Sequence, residues 1–226
     1  MITINDRGYD EKTVQLFHHE AGHVVMSWAL DEAPVSEICM VKSTNFDAHV
    51  RCNVADLGRD ADTFEKARLL GLRFICVTMA GPLAEFIAGA TLEEMYSTDP
   101  NCDFEKCYRI AGMIVPDREP MPFVARTSSI VMREMMRPIW DGVAVVAGEL
   151  SPGIIIKGYR LQKLKADAMA KVDTKPLPRN WTAWRKLLRR CKQPGSQPTQ
   201  SSRSVPAMKT APRISGGRKH EDLCGA

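Results

Sequence analysis

The stretch that most constrains this chain is Phe17-His18-His19-Glu20-Ala21-Gly22-His23-Val24-Val25. His19 and His23 stand four residues apart, one turn of an α-helix, so both rings leave the same face and can share one metal ion. Glu20 follows the first of them directly. A catalytic zinc site takes three protein ligands, keeps one position open, and needs a neighbouring base to receive a proton from water. Two metal ligands, His19 and His23, and the base, Glu20, therefore lie in one short run, and a third ligand must come from elsewhere. Asp10 is placed to cap a helix that runs to about Leu30. Val14, Phe17, Ala21, Val24, Val25 and Trp28 fall on one stripe of it, and Leu16, Met26 and Leu30 accompany the two histidines on the other. A helix apolar on both sides is buried on both sides, so the histidines should sit in a covered cleft.

The remaining pattern predicts a mainly α (α+β) domain over residues 1–173: a helical body with a small β-hairpin. Val35–Val41 and residues 48–54 read as the two strands, and the hairpin is either purely structural or offers an edge to an extended peptide laid beside the metal. A long helix follows from residue 63, with Leu72, Ile75, Cys76, Met79, Leu83 and Phe86 as its core stripe. Gly81, Ala84 and Ala88 make a small-residue face, and Pro82 predicts a kink or restart. Glu85 lies off the core stripe; it reads as a surface charge, as a group orienting a metal-bound histidine, or as a rival third ligand. Asp99 and Pro100 look like the cap and first residue of the next helix. On that helix Asp103 shares a stripe with Cys107, Ile110 and Ile114, which aims a carboxylate inward. A buried carboxylate needs a partner, and two are open to it: a metal ion, or the free amides of the helix N-terminus. Residues 121–150 read as one helix with a kink at Pro138, stopped by Ser151-Pro152-Gly153. Residues 154–156 then look extended, and 159–171 form a closing helix.

Charge separates the rest. Residues 174–226 carry twelve Lys and Arg against two Asp and Glu, whereas the preceding residues carry 19 against 25. The pI near 8.7 thus describes a tail. Its Pro, Ser and Thr content predicts disorder, with one basic amphipathic helix over 179–191 bearing Trp181, Trp184, Leu187 and Leu188. Such a helix is either a merely solvated part of the tail or suited to a membrane surface, an acidic partner or nucleic acid. The N-terminus shows no basic segment followed by an apolar one, and no uninterrupted run of about 18 apolar residues occurs, so a cytoplasmic protein is expected. The seven cysteines lack paired spacing and read as free thiols.

Three segments together resemble a known family. His19-Glu20-Ala21-Gly22-His23-Val24-Val25, Met79-Ala80-Gly81-Pro82-Leu83-Ala84-Glu85 and Ser97-Thr98-Asp99-Pro100-Asn101-Cys102-Asp103-Phe104-Glu105, followed by Tyr108-Arg109-Ile110-Ala111, resemble the peptidase domain of FtsH-type zinc metalloproteases in order and approximate spacing. The resemblance spans roughly residues 13–171. It implies zinc as cofactor, Asp103 as the third ligand beside His19 and His23, and hydrolysis of protein or peptide substrates with Glu20 as general base. The chain departs from the family's membrane-bound members in carrying no G-x-x-x-x-G-K-[ST] phosphate loop, so a stand-alone peptidase domain is expected. It would then cut unfolded or flexible chains, or borrow an ATPase motor in trans. The family's glycine-bearing segment is also replaced here by Ser97-Thr98-Asp99-Pro100. Self-association into a homo-oligomer and a non-catalytic interaction protein built on the peptidase scaffold are the other expectations the sequence leaves standing.

Overall fold

The computed structural model describes residues 7–30, 34–41, 47–52, 64–95, 102–116 and 119–193. It is mainly helical with a small antiparallel sheet, as the periodicity predicts. The first helix, α1 (Glu11–Ala29), starts where the Asp10 carboxylate accepts a hydrogen bond from the Thr13 amide at 2.7 Å. Phe17, Ala21, Val24, Val25 and Met26 are fully buried, so both sides of α1 are covered.

Strands β1 (Val35–Val41) and β2 (Asp47–Cys52) pair antiparallel, with Ile38 opposite Val50. The extended piece after Gly153 proves to be a third strand, β3 (Ile155–Lys157), which pairs antiparallel with the other edge of β1. The strand order is β2-β1-β3. Alternation explains the join: Ile38 and Met40 of β1 and Ile156 of β3 point to one face and are fully buried.

Helix α2 (Phe64–Ile87) packs against α1 and also against α4 (Asp103–Ile114). The expected restart at Gly81-Pro82 does not occur. The helix runs through Pro82, which is buried with its neighbours Ala80, Gly81, Leu83 and Ala84. Packing on both flanks holds the turn together although Pro82 supplies no amide to the Thr78 carbonyl. By length and composition α2 could cross a membrane, with mean hydropathy 1.5 over its most apolar window, but 56% of that window is buried inside the fold.

A short helix, α3 (Leu92–Met95), follows. The start expected at Pro100 is corrected: α4 begins at Asp103, because Cys102 has extended backbone (φ −66°, ψ 159°) that no α-helix can include. Asp99 and Pro100 themselves lie outside the described residues. The single helix expected over 121–150 is α5 (Pro120–Ile130) and α6 (Arg137–Glu149), joined by a π-helical stretch at Val131–Met136. The cause lies just beyond that stretch. Pro138 removes one helical donor and crowds the carbonyl four residues back, and a widened turn absorbs both effects.

The body closes with α7 (Gly158–Met169) and α8 (Trp181–Lys192). This moves the domain boundary. The compact unit extends to Gln193, not to residue 173, because α8 is part of it. Trp184, Leu187, Leu188 and Cys191 bury the apolar face of α8 against α2 and α5. Asn180 caps the helix by accepting from the Ala183 amide at 2.9 Å. Arg185 pairs with Glu65 at 2.7 Å and Arg190 pairs with Glu134. These exposed pairs add little, and the apolar face supplies most of the docking energy. The expected disordered tail beyond Gln193 falls outside the described residues.

Trp184 is 3% exposed, so Trp184→Ala should cost about 3–5 kcal/mol. Urea unfolding checks this, and an unchanged midpoint would show that α8 is not part of the folded body.

Candidate metal centre

Three helices meet at the site. At residue 22 α1 approaches α2 closely: a Cβ there would collide with the Ala80 carbonyl oxygen and lie 2.9 Å from the Ala84 Cβ. Glycine at 22 and small residues at 80, 81 and 84 therefore let the two helices touch backbone to backbone. His19 and His23 flank Gly22 and are carried against α2. Residue 81 must be glycine for a second reason, since a Cβ there would run into the His23 ring.

Helix α2 then fixes both rings from behind. His19 Nδ1 donates to Glu85 Oε2 at 2.7 Å, and His23 Nδ1 donates to the Val77 carbonyl at 3.0 Å. The other nitrogen of each ring faces forward. His19 Nε2 and His23 Nε2 lie 3.1 Å apart, and Asp103 Oδ2 stands 3.0 Å from the first and 2.8 Å from the second. Asp103 comes from the first residue of α4, 84 positions from His19, with its side chain 10% exposed. Its second oxygen, Oδ1, accepts from Lys106 Nζ at 2.9 Å.

This arrangement sets a requirement. Both nitrogens of each imidazole face a hydrogen-bonding partner, and one metal ion would satisfy both Nε2 atoms and Asp103 Oδ2 at once. Ligands about 2.0–2.1 Å from a tetrahedral zinc stand about 3.3–3.4 Å from one another. The triangle of His19, His23 and Asp103 is within a few tenths of an ångström of that spacing, and these three residues can hold a metal ion. In the metal-free protein a proton takes the place of the ion. Burial works against charge on His19, but hydrogen bonds to Asp103 and Glu85 and the nearby Glu20 carboxylate outweigh it and raise its pKa to about 10. Asp103 moves the other way: burial alone would raise it, yet the two imidazoles hold it well below the usual carboxylate range.

The structure brings His19, His23 and Asp103 together. Glu20 is 5% exposed and within electrostatic reach of His19, with no hydrogen bond or ion pair among the described residues. Glu85 takes the orienting place, because it lies on the Nδ1 side of His19, away from the converging Nε2 atoms. Two contributors were not foreseen. The Val77 carbonyl is backbone and leaves no mark in a sequence, whereas Lys106 could have been found from its position three residues after Asp103. Cys107 is fully buried, its thiol pKa raised by burial, which fits a small core residue. His18 turns elsewhere: it stacks on Trp140 with ring centroids 5.6 Å apart and donates to the Val14 carbonyl, and burial lowers its pKa.

No protein-family model, no curated protein and no solved structure matches this chain.

Two outcomes follow from the geometry. Gly81→Ala should displace the His23 ring and weaken metal binding by about 10- to 100-fold, read by competition with a chelating dye. Metal and proton also compete at His19. Its pKa is raised from 6.5 to about 10, so the stability it gives the metal-free fold is complete below pH 6.5 and disappears as pH rises through about 10. Metal affinity should therefore climb with pH across that window, with about one proton released per ion near neutrality, seen by calorimetry in buffers of different ionisation enthalpy.

Proposed function

We propose that this protein is a zinc-dependent endopeptidase acting on unfolded or flexible protein chains. One observation carries the reading: two histidine nitrogens and a carboxylate oxygen converge with their outer atoms already bonded, beside a buried carboxylate that has no protein partner among the described residues. His19, His23 and Asp103 would hold the ion. A zinc ion there supplies Lewis acidity, which acidifies water and polarises a carbonyl.

The chain's own groups do the rest. Glu20, next in sequence to a ligand and shielded from bulk water, is placed to take a proton during attack on the peptide carbonyl and to return it to the leaving amine. Glu85 and the Val77 carbonyl keep each ring's proton on Nδ1, which leaves both Nε2 lone pairs for the metal. Strand β2 lies beside α1 and pairs only with β1 among the described residues, so its outer edge suits an extended substrate bound through backbone hydrogen bonds. Backbone recognition of that kind is indifferent to sequence and demands a chain that is already unfolded. The resemblance to FtsH-type peptidase domains supports the same assignment, with Asp103 in the position of the family's third ligand.

Glu20→Gln should retain one zinc per chain and lose about 10²- to 10⁴-fold in hydrolysis of unfolded casein. Metal analysis beside that assay tests the reading: retained cleavage by the variant removes Glu20 from catalysis, and iron instead of zinc in the purified protein removes the peptidase assignment.

A further inference from the structure

The ion pair between Lys106 and Asp103 has no part in the ligand set, yet it touches the ligand directly. Lys106 Nζ is 2.9 Å from Asp103 Oδ1, while Oδ2 faces both histidines. The lysine is 45% exposed and the aspartate 10%, so a half-solvated cation reaches inward to one oxygen of a buried anion. Its location makes this notable. Lys106 stands at the N-terminal end of α4, where the aligned peptide dipoles disfavour a positive charge. The i,i+3 pair with Asp103 offsets that placement.

Resting on the zinc-site reading, we propose that Lys106 is a positioning residue that sets how Asp103 meets the ion. A carboxylate beside a divalent cation can bind through one oxygen or through both. With two histidines already bound, one oxygen completes three protein ligands and leaves a fourth position open, whereas a second oxygen would fill it. By holding Oδ1 in a charge-assisted hydrogen bond, Lys106 reserves Oδ2 alone for the metal. The open position is the one the reaction needs.

Cobalt(II) substitution reads this without reference to turnover, because its visible absorption is strong with four ligands and weak with five. Wild type should absorb strongly, Lys106→Met should take up cobalt with a several-fold weaker spectrum, and Lys106→Arg, which keeps a cationic donor, should restore most of the intensity. In the zinc form Lys106→Met should lose about tenfold in kcat with KM little changed. A Lys106→Met spectrum as strong as wild type, a weak wild-type spectrum, or loss of cobalt by Lys106→Met while wild type keeps it would each overturn the inference and leave the metal site standing. A wild type that takes up no cobalt would remove both.

Discussion

The backbone contact between α1 and α2 at Gly22 is what the site depends on. With side chains of ordinary size between them, two helices pack at about 8–10 Å. Here Gly22 meets Ala80 and Ala84 with no room for a methyl group. Only at that approach can ring nitrogens on α1 bond directly to Val77 and Glu85 on α2. A wider spacing would put water behind each ring and leave the tautomers free to exchange. The ordered forward lone pairs therefore derive from a missing Cβ at Gly22, one residue before His23 and three after His19.

That ordering carries an electrostatic cost. Two imidazoles and the Asp103, Glu85 and Glu20 carboxylates gather in a small, largely covered volume. Such a cluster is stable only if its charges alternate and its hydrogen bonds are complete. The sequence Glu85, His19, Asp103, Lys106 does alternate, each member bonded to the next. Glu20 stands outside that chain. It is buried beside His19, with no hydrogen bond or ion pair of its own among the described residues, so its oxygens are not tied up by a donor.

Much of this was legible in the residues. The histidine spacing, the Asp10 cap, the two-sided burial of α1 and the inward stripe bearing Asp103 all follow from local periodicity, and each appears in the structure. What escaped depends on contacts distant in sequence. Nothing within residues 154–156 says that they pair with β1; the partner strand is over a hundred residues away. The Trp-bearing helix read as a free amphipathic segment because an apolar face looks the same whether it covers a membrane or the flank of α2. The Asp99-Pro100 start signal was locally sound and was overridden by the extended backbone at Cys102. Val77 contributes through its carbonyl, which every residue possesses.

Pro82 shows how the parts are reconciled. A proline inside a helix costs roughly 3 kcal/mol, and here it occupies the most buried stretch of the central helix. It lies between Val77 and Glu85, the two residues that hold the histidines. A restart at that point would free the two halves to reorient, and the two rings would no longer be referred to one rigid frame. The helix stays continuous because α1 and α4 cover it on both sides, and the Thr78 carbonyl, to which Pro82 cannot donate, lies one residue beyond the carbonyl that His23 uses. The packing of α1 and α4 on α2 thus keeps both anchoring groups in register across a turn that local propensity would break.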